Sequence, residues 1–176
     1  GDWGSNVKVV ERTAAPVLRH EFDLDDGVVA ARLHVAGAGL VDARLNGAAV
    51  SDEVLSVSNT DYEETVHYAT HDVTDQVAEG ANALTFELGR GFYAMQTTNS
   101  WGWDRAPWHQ DEPAVRAVLR VTYADGRTQD IGTDPADWRV TAGPTTYNSL
   151  YEGDFYDARR SPAGADEPGY DDSAWD

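Results

Sequence analysis

One stretch of the chain has a particularly clear pattern: Ala83-Leu84-Thr85-Phe86-Glu87-Leu88-Gly89-Arg90-Gly91-Phe92-Tyr93. Leu84, Phe86 and Leu88 occupy alternate positions, which is the period of a β-strand with one buried face. Gly89 and Gly91 then break the alternation, because glycine in a strand permits a bulge or a close backbone approach. We therefore predict a strand over residues 83–88 that leads the chain into a loop.

The loop that follows, residues 94–113, is rich in aromatic and polar side chains. Trp101, Trp103 and Trp108, three of the six tryptophans in the chain, fall within eight residues, and Tyr93 comes just before them. Three indoles so close together cannot all enter the core from one short element. We predict that some of them face a ligand.

Similar alternation of apolar and polar residues recurs along the rest of the chain. It predicts strands over residues 17–24, 29–35, 41–45, 66–70, 115–123, 128–131 and 138–141. Asn46-Gly47 is a strong hairpin signal, because both residues tolerate the positive φ of a type I′ turn. About eight to ten short strands with turn residues between them and almost no helix indicate an all-β fold, a jelly-roll β-sandwich.

Composition limits the possible partners. Acidic residues outnumber basic ones 31 to 13, and the formal net charge is −18. Such a surface repels phosphate groups, so we expect neither nucleic acid nor an anionic membrane as a partner. The chain has no cysteine, which excludes disulfides and zinc-thiolate sites.

The sequence also bears on localisation and domain boundaries. No run approaches the roughly 18 apolar residues of a membrane span, and the first residues lack the pattern of a signal peptide. We expect a soluble domain, with secreted and cytoplasmic locations both open. Residues 1–14 are predicted to be a lead-in segment, 15–160 the β-sandwich, and 161–176 a linker toward a following domain, with Trp175 packing back.

Several motifs resemble a known family. Residues 35–47, ending in Leu45-Asn46-Gly47, are similar to the hairpin of galactose-binding-like jelly rolls. A narrower match lies in Asp137-Trp138-Arg139-Val140-Thr141, followed by Gly143-Pro144 and by residues 150–159 and 170–175. Together these motifs resemble the amino-terminal β-sandwich domain of bacterial α-L-rhamnosidases over about residues 15–176.

The resemblance implies a function for the domain. Some members of that family are calcium-dependent carbohydrate-binding modules for L-rhamnose, and the catalysis of these glycoside hydrolases belongs to a separate helical (α/α)6 barrel. We therefore expect a non-catalytic domain of an α-L-rhamnosidase that binds terminal L-rhamnose or a similar sugar. Its expected partners are the carbohydrate ligand and the catalytic domain of the parent chain.

The candidate site residues lie in two polar loops. An indole can cover the apolar face of a sugar ring while amides and carboxylates bind its hydroxyl groups. Calcium takes six to eight oxygen ligands, which carboxylates, amides and sugar hydroxyls can supply. The predicted sugar-binding residues are Tyr93, Asn99, Trp101, Trp103 and Trp108, and the predicted calcium ligands are Asn59, Asp61, Asp104 and Asp111.

Two alternatives remain open. In the first, the tryptophan-rich loop and residues 147–159 dock on the catalytic barrel, and the domain has no sugar affinity of its own. In the second, the chain is itself a small glycosidase, which requires two carboxyl groups about 5–9.5 Å apart. The resemblance disfavours the second alternative, because it assigns catalysis to another domain.

Overall fold

In this computed structural model, β-strands are the main secondary structure. The structure describes residues 13–96, 100–110 and 112–176, and eleven strands lie within these ranges. They are β1 (Pro16–Leu24), β2 (Val28–Ala38), β3 (Leu40–Leu45), β4 (Ala48–Ala49), β5 (Tyr68–Asp72), β6 (Gly80–Gly89), β7 (Ala114–Tyr123), β8 (Thr128–Gly132), β9 (Arg139–Ala142), β10 (Thr145–Ser149) and β11 (Gly153–Tyr156). Short 3-10 turns span Trp103–Arg105 and Ala158–Arg160. No helix among the described residues is long and apolar enough to cross a bilayer.

The strands form two antiparallel sheets and a separate hairpin. The five-stranded sheet has the order β4-β3-β6-β1-β9, and the four-stranded sheet has the order β5-β2-β7-β8. β10 and β11 pair only with each other. Apolar side chains from both sheets meet in one core. The expected all-β jelly-roll sandwich is therefore confirmed.

The core is built on the predicted central strand. Leu84, Phe86 and Leu88 of β6 are each at most 2% exposed. They pack in one cluster with Leu33 of β2 and Leu119 of β7, both of which are fully buried. Burying a large apolar side chain contributes about 1.5–3 kcal/mol, so this cluster is a main source of the stability of the sandwich.

The prediction that β6 has only one buried face is wrong. Ala83 and Thr85, on the outer face of the sheet, are also buried, with 0% and 5% of their surface exposed. The strand lies in the middle of its sheet, and residues 161–166 pack over its outer face, where Arg44 binds Asp166 at 2.7 Å. Local periodicity could not predict this second layer, because the covering segment is about eighty residues distant in sequence.

Residues 161–176, predicted to be a linker, pack against the five-stranded sheet. The guanidinium of Arg19, 1% exposed, donates from Nε to the carbonyl of Ala165 at 2.9 Å and from Nη1 to Asp172 at 2.6 Å. Asp176 exchanges two backbone hydrogen bonds with Val140 on the edge strand β9, at 2.8 and 3.0 Å. The segment is thus an ordered cover of the sheet, and a domain beyond it stays a prediction.

The hairpin predicted at Asn46-Gly47 is present. These residues have φ values of 50° and 82°, and Arg44 faces Ala49 across the two strands. The strand predicted at 66–70 instead occupies Tyr68–Asp72, where it pairs with β2 and Tyr68 lies opposite Ala36. The first and last residues of β5 are therefore set by its pairing with β2 rather than by the local sequence pattern.

Candidate ligand-binding site

Two loops meet at one end of the sandwich, and aromatic rings join them. The first loop, residues 50–67, connects β4 to β5, and the second, residues 90–113, connects β6 to β7. The ring of Tyr62 in the first loop lies 4.9 Å from that of Tyr93 and 5.3 Å from that of Trp108, edge to face in both contacts. Such pairs contribute about 0.5–1.5 kcal/mol beyond area burial. The two candidate loops therefore form one surface.

More rings continue this surface. The Trp103 and Trp108 rings lie 6.4 Å apart at an interplanar angle of 26°. Phe92 contacts Trp103 edge to face at 5.4 Å, and Trp103 Nε1 donates to the hydroxyl of Tyr151 at 3.1 Å. We call the six rings the aromatic cluster: Tyr62, Phe92, Tyr93, Trp103, Trp108 and Tyr151.

Polar contacts hold the second loop in place. The imidazole Nε2 of His109 bonds the carbonyl of Met95 at 2.8 Å, and the backbone N–H of Gln110 donates to the carbonyl of Tyr93 at 3.1 Å. Gly102, with φ of 75°, begins the 3-10 turn that carries Trp103. A residue with a side chain would be strained in this left-handed conformation. These hydrogen bonds therefore fix residues 109 and 110 to residues 95 and 93 near the beginning of the loop.

A buried arginine links the base of the same loop to the beginning of the described chain. The guanidinium of Arg90 is 1% exposed and forms an ion pair with Glu112 at 3.1 Å. It also donates to the hydroxyl of Thr13. A buried cation needs such partners, because its desolvation is costly. Arg90 therefore holds the two ends of the loop together.

The predicted sugar-binding residues occupy different environments. Trp101 is 75% exposed, while Tyr93, Trp103 and Trp108 are half-buried within the aromatic cluster. None of these four belongs to the apolar core. Asn99 lies outside the described residues. Indole and phenol rings are thus available at the surface, as a ligand-facing loop requires.

The predicted calcium ligands are also in the two loops. Asp104 lies in the 3-10 turn, and its Oδ1 is buried with no hydrogen-bond partner among the described residues. Asn59 and Asp61 are exposed, and Asp61 Oδ1 accepts from the backbone N–H of Glu63 at 3.2 Å. Asp111 lies outside the described residues.

A calcium shell at this place would need several kinds of oxygen. Within the described residues there is no group of three His, Cys, Asp or Glu side chains arranged to hold a metal ion. Calcium also binds amide, backbone carbonyl and ligand hydroxyl oxygens, and none of these belongs to a His, Cys, Asp or Glu side chain. The buried Asp104 Oδ1 fits such a mixed shell, because it has an unused lone pair.

Three rings of the cluster were not among the predicted site residues: Tyr62, Phe92 and Tyr151. Tyr62 interrupts an otherwise polar run, which is a signal that could have identified it.

Burial raises the pKa of Tyr62, and its hydrogen bond to the backbone of Gly39 only partly opposes this effect. The phenol therefore stays protonated at neutral pH.

Comparison with known proteins adds to this geometry. A family model described as "Alpha-L-rhamnosidase N-terminal domain" matches residues 26–176. The chain is 42% identical over 176 residues to an α-L-rhamnosidase of Streptomyces avermitilis, covering 99% of this chain and 16% of the relative. It is 33% identical over 171 residues to an α-L-rhamnosidase of Formosa agariphila, covering 94% of this chain and 17% of the relative.

A solved structure shares the same fold. The crystal structure of the Streptomyces avermitilis α-L-rhamnosidase complexed with L-rhamnose matches with a TM-score of 0.86 at 42% identity. The match covers 93% of this chain and 16% of that chain. The present chain therefore spans about a sixth of the length of these relatives.

Proposed function

The chain belongs to the family of α-L-rhamnosidase N-terminal domains, and on that premise we propose that it binds a terminal L-rhamnose or a similar sugar at Trp101 and the neighbouring aromatic cluster. The observation that carries the proposal is the exposed indole of Trp101, 75% exposed and two residues before Trp103 in a loop held by fixed polar contacts. An aromatic side chain has few rotatable bonds, so it covers the apolar face of a sugar with little loss of side-chain entropy.

The expected affinity follows from the contact area. Covering about 80–100 Å² of sugar surface at about 25 cal/mol per Å² contributes about 2–2.5 kcal/mol. Hydrogen bonds to the hydroxyl groups add to this value. A dissociation constant near 1 mM, which corresponds to about −4 kcal/mol, is therefore expected.

Calcium is the second part of the proposal. Asp104 would supply a carboxylate oxygen, and Asn59, Asp61 and Asp111 are the other proposed protein ligands. The ion would bind two adjacent sugar hydroxyls and so raise affinity, since it accepts oxygen ligands from both protein and sugar. The unpaired, buried Oδ1 of Asp104 supports this assignment.

We assign no bond cleavage to this domain. The Streptomyces relative is an α-L-rhamnosidase about six times as long as the matched region, which covers 16% of it. In a parent chain of that kind, hydrolysis would belong to residues outside this domain. Turnover of an aryl α-L-rhamnoside by the isolated 176-residue chain would overturn this part of the proposal.

Isothermal titration calorimetry tests the binding proposal. L-Rhamnose is titrated into the chain with calcium and then with a chelator, and the Trp101→Ala variant is titrated as the control. We expect saturable heat that weakens when calcium is removed. Absence of heat under both conditions at tens of millimolar sugar would overturn the proposal.

A second candidate function rests on the β10–β11 hairpin. Tyr151, Phe155 and Tyr156 are 50%, 49% and 61% exposed, and Leu150 between the strands is 37% exposed. In the second candidate, the catalytic domain of the parent chain covers this apolar surface. Under this candidate function, the isolated chain should co-elute with that domain. Loss of co-elution in a Tyr156→Ser, Phe155→Ser double variant would support docking, and unchanged co-elution would reject it.

A further inference from the structure

A recess lies on the outer face of the five-stranded sheet, on the side away from the core. It is a groove of about 610 Å³ bordered by β3, β6 and the β10–β11 hairpin, and it borders a cavity of about 410 Å³ next to residues 161–166. Asp42 of β3 and Glu87 of β6 line both spaces. The volume of the groove is within the range of about 300–1,000 Å³ that is usual for small-ligand sites.

Asp42 and Glu87 lie directly opposite one another on neighbouring strands. Like charges in this arrangement repel each other, and neither carboxylate forms an ion pair among the described residues. The next residues along the same sheet face are Arg44 and Arg19. Their guanidinium groups are engaged with Asp166 and Asp172 of the carboxyl-terminal segment, so Asp42 and Glu87 have no cationic partner in the part of the chain that the structure describes.

Two residues that line the groove each carry a buried, unsatisfied polar atom. Glu87 Oε1 and Asn148 Nδ2 are buried without a hydrogen-bond partner among the described residues. The orientation of the Asn148 amide is determined, because its Oδ1 accepts from the backbone N–H of Arg90 at 2.7 Å. The Asn148 nitrogen is therefore a donor with no acceptor among the described residues, on a residue that lines the same groove as both carboxylates.

We infer that this groove binds a hydroxyl-rich ligand, a saccharide, in contact with Asp42, Glu87 and Asn148. Three ligand classes can be compared by chemistry. A cation would satisfy the carboxylates but offers no acceptor to the amide nitrogen, and an anion would satisfy the amide but be repelled by the carboxylates. A hydroxyl group donates and accepts, so it satisfies both. Apolar side chains of Leu40 and Leu150 supply the contact surface for the ring carbons.

The groove is a different site from the aromatic cluster. Its lining includes Gly91 and Leu150, the residues next to Phe92 and Tyr151 of that cluster, but none of the six rings. Binding in the groove therefore does not depend on the sugar binding proposed for the cluster. A ligand with two or more sugar units would be able to contact both.

Nuclear magnetic resonance of the 15N-labelled chain tests the inference. The backbone amides of Gly89, Gly91 and Asn148 report on the groove, and the indole N–H of Trp101 reports separately on the loop. L-Rhamnose, D-galactose and D-glucose are titrated to about 100 mM, well above a millimolar dissociation constant. We expect saturable shifts of the groove amides with at least one of these sugars.

Two near-isosteric variants test the assigned contacts. Asn148→Asp keeps the acceptor for the Arg90 N–H but removes the free donor, and Asp42→Asn removes one exposed carboxylate. Each is expected to weaken sugar binding at the groove amides about fivefold or more, since Asn148→Asp loses a hydrogen-bond donor and Asp42→Asn loses a charged acceptor. Trp101→Ala should leave the groove shifts unchanged, and Asp75→Asn, an exposed substitution far from the groove, is the control.

Three results would overturn the inference. The first is the absence of groove shifts with all three sugars, which would mean that water alone satisfies the two buried atoms. The second is full retention of groove binding in both Asn148→Asp and Asp42→Asn. The third is a stronger response of the groove amides to ethylammonium chloride than to any sugar, which would indicate a cation site.

Discussion

Arg32 of β2 and Arg120 of β7 lie directly opposite one another on the outer face of the four-stranded sheet. Each arginine is compensated by an aspartate on an edge strand. Arg32 pairs with Asp72 of β5 at 2.5 Å, and Arg120 pairs with Asp130 of β8 at 2.6 Å. The charges thus run minus, plus, plus, minus across all four strands, so each arginine meets an acid that offsets repulsion from the other.

This row of charges predicts a pH effect for Asp130→Asn. The guanidinium of Arg120 holds the pKa of Asp130 below its usual range. A lowered folded-state pKa stabilises the fold above the unfolded value of about 3.9, and that contribution is lost as pH falls through the folded value. We expect the variant to be less stable at pH 7 and to lose less stability between pH 5 and pH 2, about the range in which this carboxyl titrates.

Urea unfolding at several pH values measures this effect. Asp75→Asn is the control, because Asp75 is exposed and forms no ion pair among the described residues. An identical loss of stability on acidification in wild type and Asp130→Asn would contradict the prediction.

Arg19→Met is expected to release the carboxyl-terminal segment. The guanidinium donates to the carbonyl of Glu167 at 3.1 Å as well as to Ala165 and Asp172, and its hydrogen bond is the main cause of the lowered pKa of Glu21. Removing one partner of a buried pair costs about 3–5 kcal/mol when the remaining charge stays buried. In Arg19→Met, Glu21 and Asp172 can rehydrate, so we expect the free energy of unfolding to fall by about 2–3 kcal/mol.

Limited proteolysis and urea unfolding together test this prediction. Cleavage within residues 161–176 should become much faster in Arg19→Met. Arg116→Met, an exposed arginine on the other sheet, should match wild type. A variant that is destabilised but retains a protected segment would show that Arg19 supports the sheet rather than the segment.

Trp138→Ala is expected to destabilise the sandwich. The indole stacks on Phe86 at 5.2 Å with an interplanar angle of 17°, and its Nε1 donates to the carbonyl of Gly132 at 3.0 Å. Truncating a large aromatic residue that packs on the core costs about 3–5 kcal/mol, and because Trp138 is only partly buried we expect about 2–4 kcal/mol. A loss below about 0.5 kcal/mol, the size typical of surface substitutions, would contradict this prediction.

Trp101→Ala should separate binding from stability. The exposed indole contributes little to the fold, so the free energy of unfolding should change by about 0.5 kcal/mol or less. If its ring covers the sugar, affinity for L-rhamnose should fall at least about tenfold, as the loss of roughly 2 kcal/mol of contact requires. Calorimetry and thermal unfolding of the same sample give both quantities.

Trp103→Ala provides the comparison. Trp103 is half-buried among Phe92, Trp108 and Tyr151, so its removal should lower both stability and sugar affinity. Unchanged L-rhamnose binding in both tryptophan variants would remove the aromatic loop from the proposed site.

Much of the fold could be predicted from local patterns. The alternation of Leu84, Phe86 and Leu88 identified the central strand, and Asn46-Gly47 identified the hairpin between β3 and β4. Both signals are local, because alternation reports which face of a strand is buried and the turn depends on the φ values of two residues. The aromatic loop was also recognisable, from the density of tryptophan between residues 101 and 108.

The candidate site could be predicted only in part. The sequence singled out Trp103 and Trp108, but it did not show that Tyr62 of a distant loop packs between Tyr93 and Trp108. It also gave no sign that Asn148, from a different hairpin, lines the same groove as Glu87 and Asp42. The residues brought together in these two places are about thirty to one hundred positions apart.

The amino-acid sequence by itself therefore determined the strands, their turns and the concentration of aromatic residues in one loop. The tertiary structure alone decided that residues 161–176 bury Arg19 and the outer face of β6, and that Asp42 and Glu87 share one groove. The physical reason is that strand periodicity and turn chemistry act over a few residues, whereas burial, charge compensation and hydrogen-bond satisfaction depend on segments that meet only after folding.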